Sequence, residues 1–134
     1  MDILNTGKYI YYNDTYFRLP IPSRTGHTFD GWFTERSNGT EITDNTIMNR
    51  TVNHTIYAHW IPQKVTINFN ANGGYTSVSN KEVTYGYTFG TLPTPTRQGY
   101  SFDGWYLNGI KLTSESVVSI YYTQTVYAYW TKIG

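Results

Sequence analysis

The sequence contains no cysteine, so neither disulfide bonds nor cysteine-ligated metal sites are available to it. Charged residues are only 14% of the 134 residues and the net charge is +1, which argues against electrostatic binding to nucleic acid or anionic lipid. No apolar run approaches the roughly 20 residues of a membrane-spanning helix. The first residues lack the basic start and apolar stretch of a secretory signal. We therefore expect no nucleic-acid partner and no insertion into a membrane.

Aromatic residues are abundant, at 18% of the chain, and many of them fall in a pattern that occurs twice. The segment YNDTYFRLPIPSRTGHTFDGW (12–32) recurs as YGYTFGTLPTPTRQGYSFDGW (85–105), at an offset of 73 residues. The second copy then lacks three residues, so the offset becomes 70, and TIYAHW (55–60) aligns with TVYAYW (125–130). Internal repeats mark separate folding units. The sequence thus predicts a first unit over residues 1–62 and a second over 63–134.

Strand signals dominate both copies. Val65, Ile67 and Phe69 alternate with polar residues, which is the period of a half-buried strand. The two Leu-Pro-x-Pro segments exclude regular helix or central strand there, because proline lacks a backbone donor. We expect a mostly β fold (α+β at most) of two tandem β-grasp-like units with mixed sheets. At most one short helix is expected in each unit, at 43–48 and 113–118.

The two copies share an Asn-Gly turn but differ at their beginnings. Asn38-Gly39 and Asn108-Gly109 predict tight turns, and the length difference between the copies falls beside them. The second copy opens with the strand at 64–70, whereas the first copy has no equivalent of it. The first unit is therefore expected to be incomplete or to build its sheet differently. An unpaired strand edge there would be a site for association.

The combination of motifs between residues 64 and 131 resembles the Listeria–Bacteroides repeat, the B-repeat of internalin-type surface proteins. It comprises an initial strand with Asn-Gly-Gly, the Leu-Pro-x-Pro-x-Arg segment, Gly-Tyr-Ser-Phe-Asp-Gly-Trp-Tyr and a final Tyr-Ala-x-Trp. The first copy matches from about residue 8 to 60. The resemblance implies a compact β-grasp-like unit that occurs in tandem in secreted or wall-attached bacterial proteins. It also implies a stalk or adhesion role, with no cofactor and no catalytic activity.

Two sets of repeated residues invite a functional interpretation. The tryptophans suggest sugar stacking, but their equivalent positions at strand ends favour a structural core, which we assign to Trp32, Trp60, Trp105, Trp130, Phe29 and Phe102. The Asp-Gly-Trp motif suggests a carboxylate or metal site. A turn or bulge is favoured for Asp30, Gly31, Asp103 and Gly104, because no acidic cluster supplies further ligands.

Catalytic signatures are missing from the sequence. It has no nucleophile motif, no phosphate-binding loop and no pair of opposed carboxylates, and its three histidines lack metal-ligand spacing. We predict no metal site, no cofactor and a non-enzymatic module of an extracellular or cell-surface protein. It would act as a stalk or adhesin segment that touches neighbouring repeats and a host or matrix protein or glycan. Contact would use Tyr57, Tyr127 and Tyr129; a carbohydrate-binding module is the alternative, and a small enzyme is the weakest.

Overall fold

The computed structural model describes residues 10–134, and within them the fold is all β, with no helix. The mostly β expectation is confirmed. The chain divides into two compact units, Met1–Ile61 and Pro62–Gly134.

The first unit contains a three-stranded sheet in the order β2-β1-β3. Its strands are β1 (His27–Phe33), β2 (Glu41–Ile42) and β3 (Tyr57–Pro62). Trp32 pairs with Ile42 and Phe33 with Glu41 in the antiparallel β1–β2 ladder. Trp32 and Ile42 are buried, together with Tyr16, Met48 and Ala58, in the core of this unit.

The second unit is a five-stranded sheet in the order β5-β4-β8-β6-β7. Its strands are β4 (Lys64–Asn70), β5 (Asn80–Thr84), β6 (Tyr100–Leu107), β7 (Ile110–Leu112) and β8 (Gln124–Lys132). The sheet is mixed, because β4 and β8 run parallel while the other neighbours are antiparallel. The connection at 85–99 contains no helix and contributes Phe89 to the core.

The tight turn at Asn108-Gly109 has the expected geometry. Both residues have positive φ, 51° and 82°, and Leu107 pairs with Ile110 on either side of them, which is the two-residue hairpin that Asn-Gly favours. In the first unit Asn38 and Gly39 also have positive φ, 59° and 78°. There the loop is longer, and Thr34 N–H donates to the Thr40 carbonyl at 3.0 Å. The length difference between the copies is thus absorbed at a hairpin tip.

The expected helical turns at 43–48 and 113–118 are hydrogen-bonded turns instead. Thr46 N–H donates to the Thr43 carbonyl at 3.0 Å, and Thr43 N–H donates to Thr46 Oγ1 at 2.8 Å. Met48 N–H then donates to the backbone carbonyl of Asp14, in another segment, at 2.7 Å. Neither segment forms a helix, which agrees with the expectation of at most one short helix in each unit, because bonds to distant segments use the backbone groups that a continuing helix would need.

Candidate contact surface

The last strand of each unit separates a core face from an outward face. In β8, Val126 and Ala128 are fully buried, whereas Tyr127 and Tyr129 are 45% and 44% exposed. In β3, Ala58 is fully buried, whereas Tyr57 and His59 on either side of it are half-buried. The alternation follows from the two-residue period of a strand. It places the three tyrosines predicted for partner contact on outward faces of their sheets.

An aromatic stack crosses the outward face of each unit. The rings of Tyr106 and Tyr129 lie 4.0 Å apart and nearly parallel, and those of Phe33 and His59 lie 3.8 Å apart in the same arrangement. The repeat offsets align Phe33 with Tyr106 and His59 with Tyr129. Sequence reasoning missed Tyr106 and Phe33. The signal that could have found them is the aromatic character that both aligned positions share.

The glycines of the Asp-Gly-Trp motif make room on this outward face. Gly104 has φ +146°, and a Cβ there would lie 2.7 Å from Cε of Lys111. Gly31 has φ +132°, and a Cβ there would lie 2.8 Å from Oε2 of Glu41. The outward patch therefore carries a lysine in the second unit and a glutamate in the first. The backbone conformation of the glycine is similar in the two units, whereas the side chain that lies over it is positive in the second unit and negative in the first.

The four residues assigned to a turn or bulge lie inside strands. Asp30 and Gly31 belong to β1, and Asp103 and Gly104 belong to β6, so the chain does not reverse direction at either place. In β6 the register shifts between Phe102 and Gly104, which is a β-bulge. Asp103 Oδ2 accepts a hydrogen bond from Thr131 Oγ1 at 2.7 Å. Its carboxylate thus ties β6 to β8.

The tryptophans and their phenylalanines pack into or against the two cores. Trp32 and Trp105 are 3% and 1% exposed. Phe102 contacts both Trp105 and Trp130, with ring centroids 5.5 Å apart in each pair. Phe29 contacts Trp32 and Trp60 in the same way, at 5.6 and 5.5 Å. The same three-ring cluster therefore occurs in each unit, with one indole buried in the core and the other half-buried against it.

The first unit has a cavity of about 260 Å³ with a partly polar lining. The Tyr16 hydroxyl and His54 Nε2 are 2.6 Å apart, and the His54 Nδ1 lies 3.2 Å from the Val52 carbonyl. Arg50 also lines the cavity. Burial raises the pKa of the Tyr16 phenol, and the positive charge of Arg50 partly offsets that rise. The Tyr16 hydroxyl therefore keeps its proton at neutral pH.

Residues 10–134 contain no group of three or more histidine, aspartate or glutamate side chains arranged to hold a metal ion. Nor does this part of the chain hold a helix with the length and hydrophobicity needed to cross a bilayer.

A family model describing the Listeria–Bacteroides repeat domain matches residues 3–59 and 66–129. The chain belongs to the Listeria–Bacteroides repeat family. The two matched segments correspond to the two copies recognised by their shared motifs, so the resemblance noted from those motifs is confirmed. This family occurs in surface proteins such as the internalins.

Relatives of this Listeria–Bacteroides repeat chain are much longer proteins. A protein of Evansella cellulosilytica named as a membrane protein is 38% identical over 85 residues, which is 63% of this chain and 12% of that protein. Internalin H of Listeria monocytogenes, a surface protein, is 32% identical over 85 residues, again 63% of this chain and 15% of that protein. The match thus spans less than a sixth of these relatives. No solved structure matches the repeat chain significantly.

Proposed function

We propose that the chain is a non-enzymatic spacer and contact module of a bacterial cell-surface protein, exposed outside the cell. The supporting observation is that both units repeat one design, with an aromatic cluster in the core and an aromatic stack on the outward face. Residues that recur at a structural core serve folding, which is what a spacer requires. The partners we propose are host or matrix proteins and neighbouring repeats, not nucleic acid.

The outward tyrosines support the contact role. Tyrosine provides a large rigid contact area and is enriched at protein interfaces. Tyr127 exposes 45% of its surface beside the Tyr106–Tyr129 stack, with Lys111 over the neighbouring glycine. This tyrosine face combines apolar rings, hydroxyl groups and one positive charge. This combination is typical of a protein-binding surface, which has an apolar centre and a polar rim, and not of an enclosed ligand pocket.

A binding assay on the tyrosine face tests the proposal. Immobilised extracellular-matrix and host-surface proteins are probed with the wild-type chain, Tyr127→Ala and Tyr87→Ala, the last being an exposed tyrosine outside β8. We expect a partner whose binding weakens about tenfold or more with Tyr127→Ala, as for a contact hot spot, and not with Tyr87→Ala. Equal binding by all three chains would reject the tyrosine face. Antibody labelling of intact cells checks the surface location.

The carbohydrate alternative rests on the same tyrosines, because Trp32 and Trp105 are buried and Trp60 and Trp130 are half-buried against the cores. One face of the Tyr129 ring is covered by Tyr106, so Tyr127 and the other face of Tyr129 remain for a sugar. Titration of bacterial and host glycans against intrinsic fluorescence decides between the two functions. A saturable shift that Tyr127→Ala removes supports carbohydrate binding, and its absence together with protein binding supports the contact module.

A further inference from the structure

The first unit has a three-residue insertion, Glu35-Arg36-Ser37, that the second unit lacks. It follows β1 and lies over the outward face of its own sheet. His59 Nε2 donates a hydrogen bond to the Glu35 carbonyl at 2.8 Å. The guanidinium carbon of Arg36 lies 5.4 Å from the centre of the Tyr57 ring, which is within the range of a cation–π contact. The insertion thus covers two residues of this face, one with a carbonyl and the other with a guanidinium.

The second unit has the corresponding face without this cover. At the 70-residue offset, Tyr127 and Tyr129 occupy the positions of Tyr57 and His59. Both are exposed, at 45% and 44%, whereas their counterparts in the first unit are half-buried. Among residues 10–134, no arginine lies over the Tyr127 ring as Arg36 lies over Tyr57. The ring and the hydroxyl group that the insertion would cover therefore face solvent in the second unit.

Apart from the insertion, the two faces have the same construction. Phe33 stacks on His59 with an angle of 8° between the rings, and Tyr106 stacks on Tyr129 with an angle of 13°. A glycine of positive φ lies beside the stack in each unit. Rings that already pack on one another lose little freedom when a further group is added, which favours binding. The covered face of the first unit therefore indicates which groups the exposed face of the second unit is shaped to hold.

The position of Lys111 is compatible with a second cation over Tyr127. Tyr106 pairs with Lys111 on one side and with Tyr127 on the other, so these two residues lie two strands apart. Their backbones are about 10 Å from one another, which exceeds the Debye length of about 8 Å at physiological salt. The lysine side chain also leans over Gly104, which pairs with Tyr129. The ammonium group is therefore on the side of the face where the first unit has the Glu35 carbonyl.

Asp103 supplies a negative charge at the other end of the same face. Its carboxylate is exposed and accepts a hydrogen bond from Thr131 Oγ1 at 2.7 Å. Thr131 is two residues beyond Tyr129, so both side chains point to the same side of β8. The charges of Asp103 and Lys111 have opposite signs, and the face has no net charge that would repel an arginine.

We propose that the tyrosine face of the second unit binds an exposed arginine of a partner protein, in the way that Arg36 occupies the first unit. The guanidinium lies over the Tyr127 ring, and the Tyr129 hydroxyl donates a hydrogen bond to the carbonyl of the residue before that arginine. The planar guanidinium suits this position because it stacks on aromatic rings and is more weakly hydrated than an ammonium. The inference rests on the proposed function and deepens it, since it names the chemistry of the partner at the same face.

Short peptides test the preference for arginine on the full 134-residue chain. The probe is acetyl-Thr-Glu-Arg-Ser-amide, the sequence of residues 34–37, and its control has glutamine in place of arginine. Titration at millimolar peptide is followed by the NMR shifts of the tyrosine ring protons. We expect the arginine peptide to bind about three- to fivefold more tightly, which is the effect of one cation–π contact at an exposed site. Equal binding of the two peptides, or binding of neither, overturns the proposal.

Matched variants identify where the peptide binds. Tyr127→Ala should remove the preference for arginine, whereas Tyr127→Phe keeps the ring and should retain it. Tyr87→Ala, at an exposed tyrosine outside β8, should have no effect. Arg36→Ala uncovers Tyr57 and should raise the number of bound arginine peptides from one to two. If Arg36→Ala still binds a single peptide, the first unit is not a guide to the second and the proposal is wrong.

A graft of the insertion tests the same contact within one molecule. Glu-Arg-Ser is inserted between Leu107 and Asn108, and Glu-Gln-Ser at the same place is the control. The inserted arginine should cover Tyr127 and abolish binding of the arginine peptide, whereas the control insertion should reduce that binding less. Two grafts that inhibit equally would contradict a specific place for the guanidinium.

A protein partner separates this inference from the proposed function. Arginines of any matrix or host protein that binds through Tyr127 are blocked with an arginine-specific dicarbonyl reagent, and we expect binding to be lost. Binding that requires Tyr127 but survives the modification overturns the arginine assignment and leaves the contact function intact. If no protein binds, the contact function fails, and the peptide titration still decides whether the face recognises arginine.

Discussion

The indole nitrogen of Trp105 donates a hydrogen bond to the carbonyl oxygen of Pro93 at 2.7 Å. Trp32 makes the equivalent bond to Pro20 at 2.8 Å. The bond joins the bulged strand to the proline-containing segment, where the carbonyl of Pro93 accepts it from a side chain. Each unit therefore fastens its irregular connection to its sheet through the most deeply buried indole of its core.

Two substitutions of Trp105 distinguish the contribution of its hydrogen bond to stability from the contribution of its packing. Trp105→Phe keeps a ring but leaves the Pro93 carbonyl unpaired, so we expect a loss of about 1–3 kcal/mol in the free energy of unfolding. Trp105→Ala also creates a cavity and should cost about 3–5 kcal/mol. Urea unfolding followed by circular dichroism measures both. Exposed Tyr122→Phe is the control, and a Trp105→Phe chain as stable as wild type would show that the bond contributes nothing.

The conformation of Gly104 predicts the effect of a side chain there. Gly104→Ala must hold φ at +146°, a value that L-residues rarely adopt, so we expect a loss of about 1–3 kcal/mol. The contact with Lys111 is a smaller cost, because the end of a lysine side chain can move. Gly104→Ala combined with Lys111→Ala should therefore remain destabilised relative to Lys111→Ala alone. Recovery of stability in the double variant would show that the contact, and not the backbone, requires glycine.

Stability above pH 10 should depend on Tyr16. Burial raises the pKa of its phenol above the ordinary value of 10.0, so between the unfolded and folded pKa values the native state holds a proton that the unfolded state has lost. This contribution is complete below about pH 10 and is lost as the pH rises through the folded pKa. Tyr16→Phe should flatten the fall in the free energy of unfolding between pH 9 and 11, by urea titration. Tyr75→Phe controls for the loss of a phenol, and identical slopes in Tyr16→Phe and wild type would refute the prediction.

Lys81 holds the start of the connection that follows β5. Its Nζ donates to the carbonyls of Phe89 and Thr91, at 2.7 and 2.9 Å. Lys81→Met retains the aliphatic stem and removes both bonds, so we expect a loss of about 1–3 kcal/mol, in the range of hydrogen bonds to charged groups. Chemical denaturation measures the loss. Lys132→Met, an exposed lysine near the end of β8, is the matched control. Equal effects of the two substitutions would count against the specific role of Lys81.

Features that depend only on neighbouring residues, such as the faces of a strand and a tight turn, were predicted correctly from the sequence. The alternation in β4 and β8 predicted which side chains are buried, because successive side chains of any strand point to opposite faces. Asn108-Gly109 predicted its hairpin, because asparagine and glycine tolerate positive φ. The sequence left open a short helix at 43–48, and none forms there, since the carbonyl of Asp14, distant in sequence, accepts the bond from Met48 N–H that a helix would need.

The sequence by itself determined the two copies, the family, the faces of the strands and the aromatic positions of the cores. These follow from repetition and from the period of the backbone, which each segment carries within itself. Only the tertiary structure decided that Tyr106 stacks on Tyr129, that Asp-Gly-Trp is a bulge within a strand, and that Arg36 lies over Tyr57. Such relationships depend on which distant segments pair, and pairing is a property of the assembled sheet.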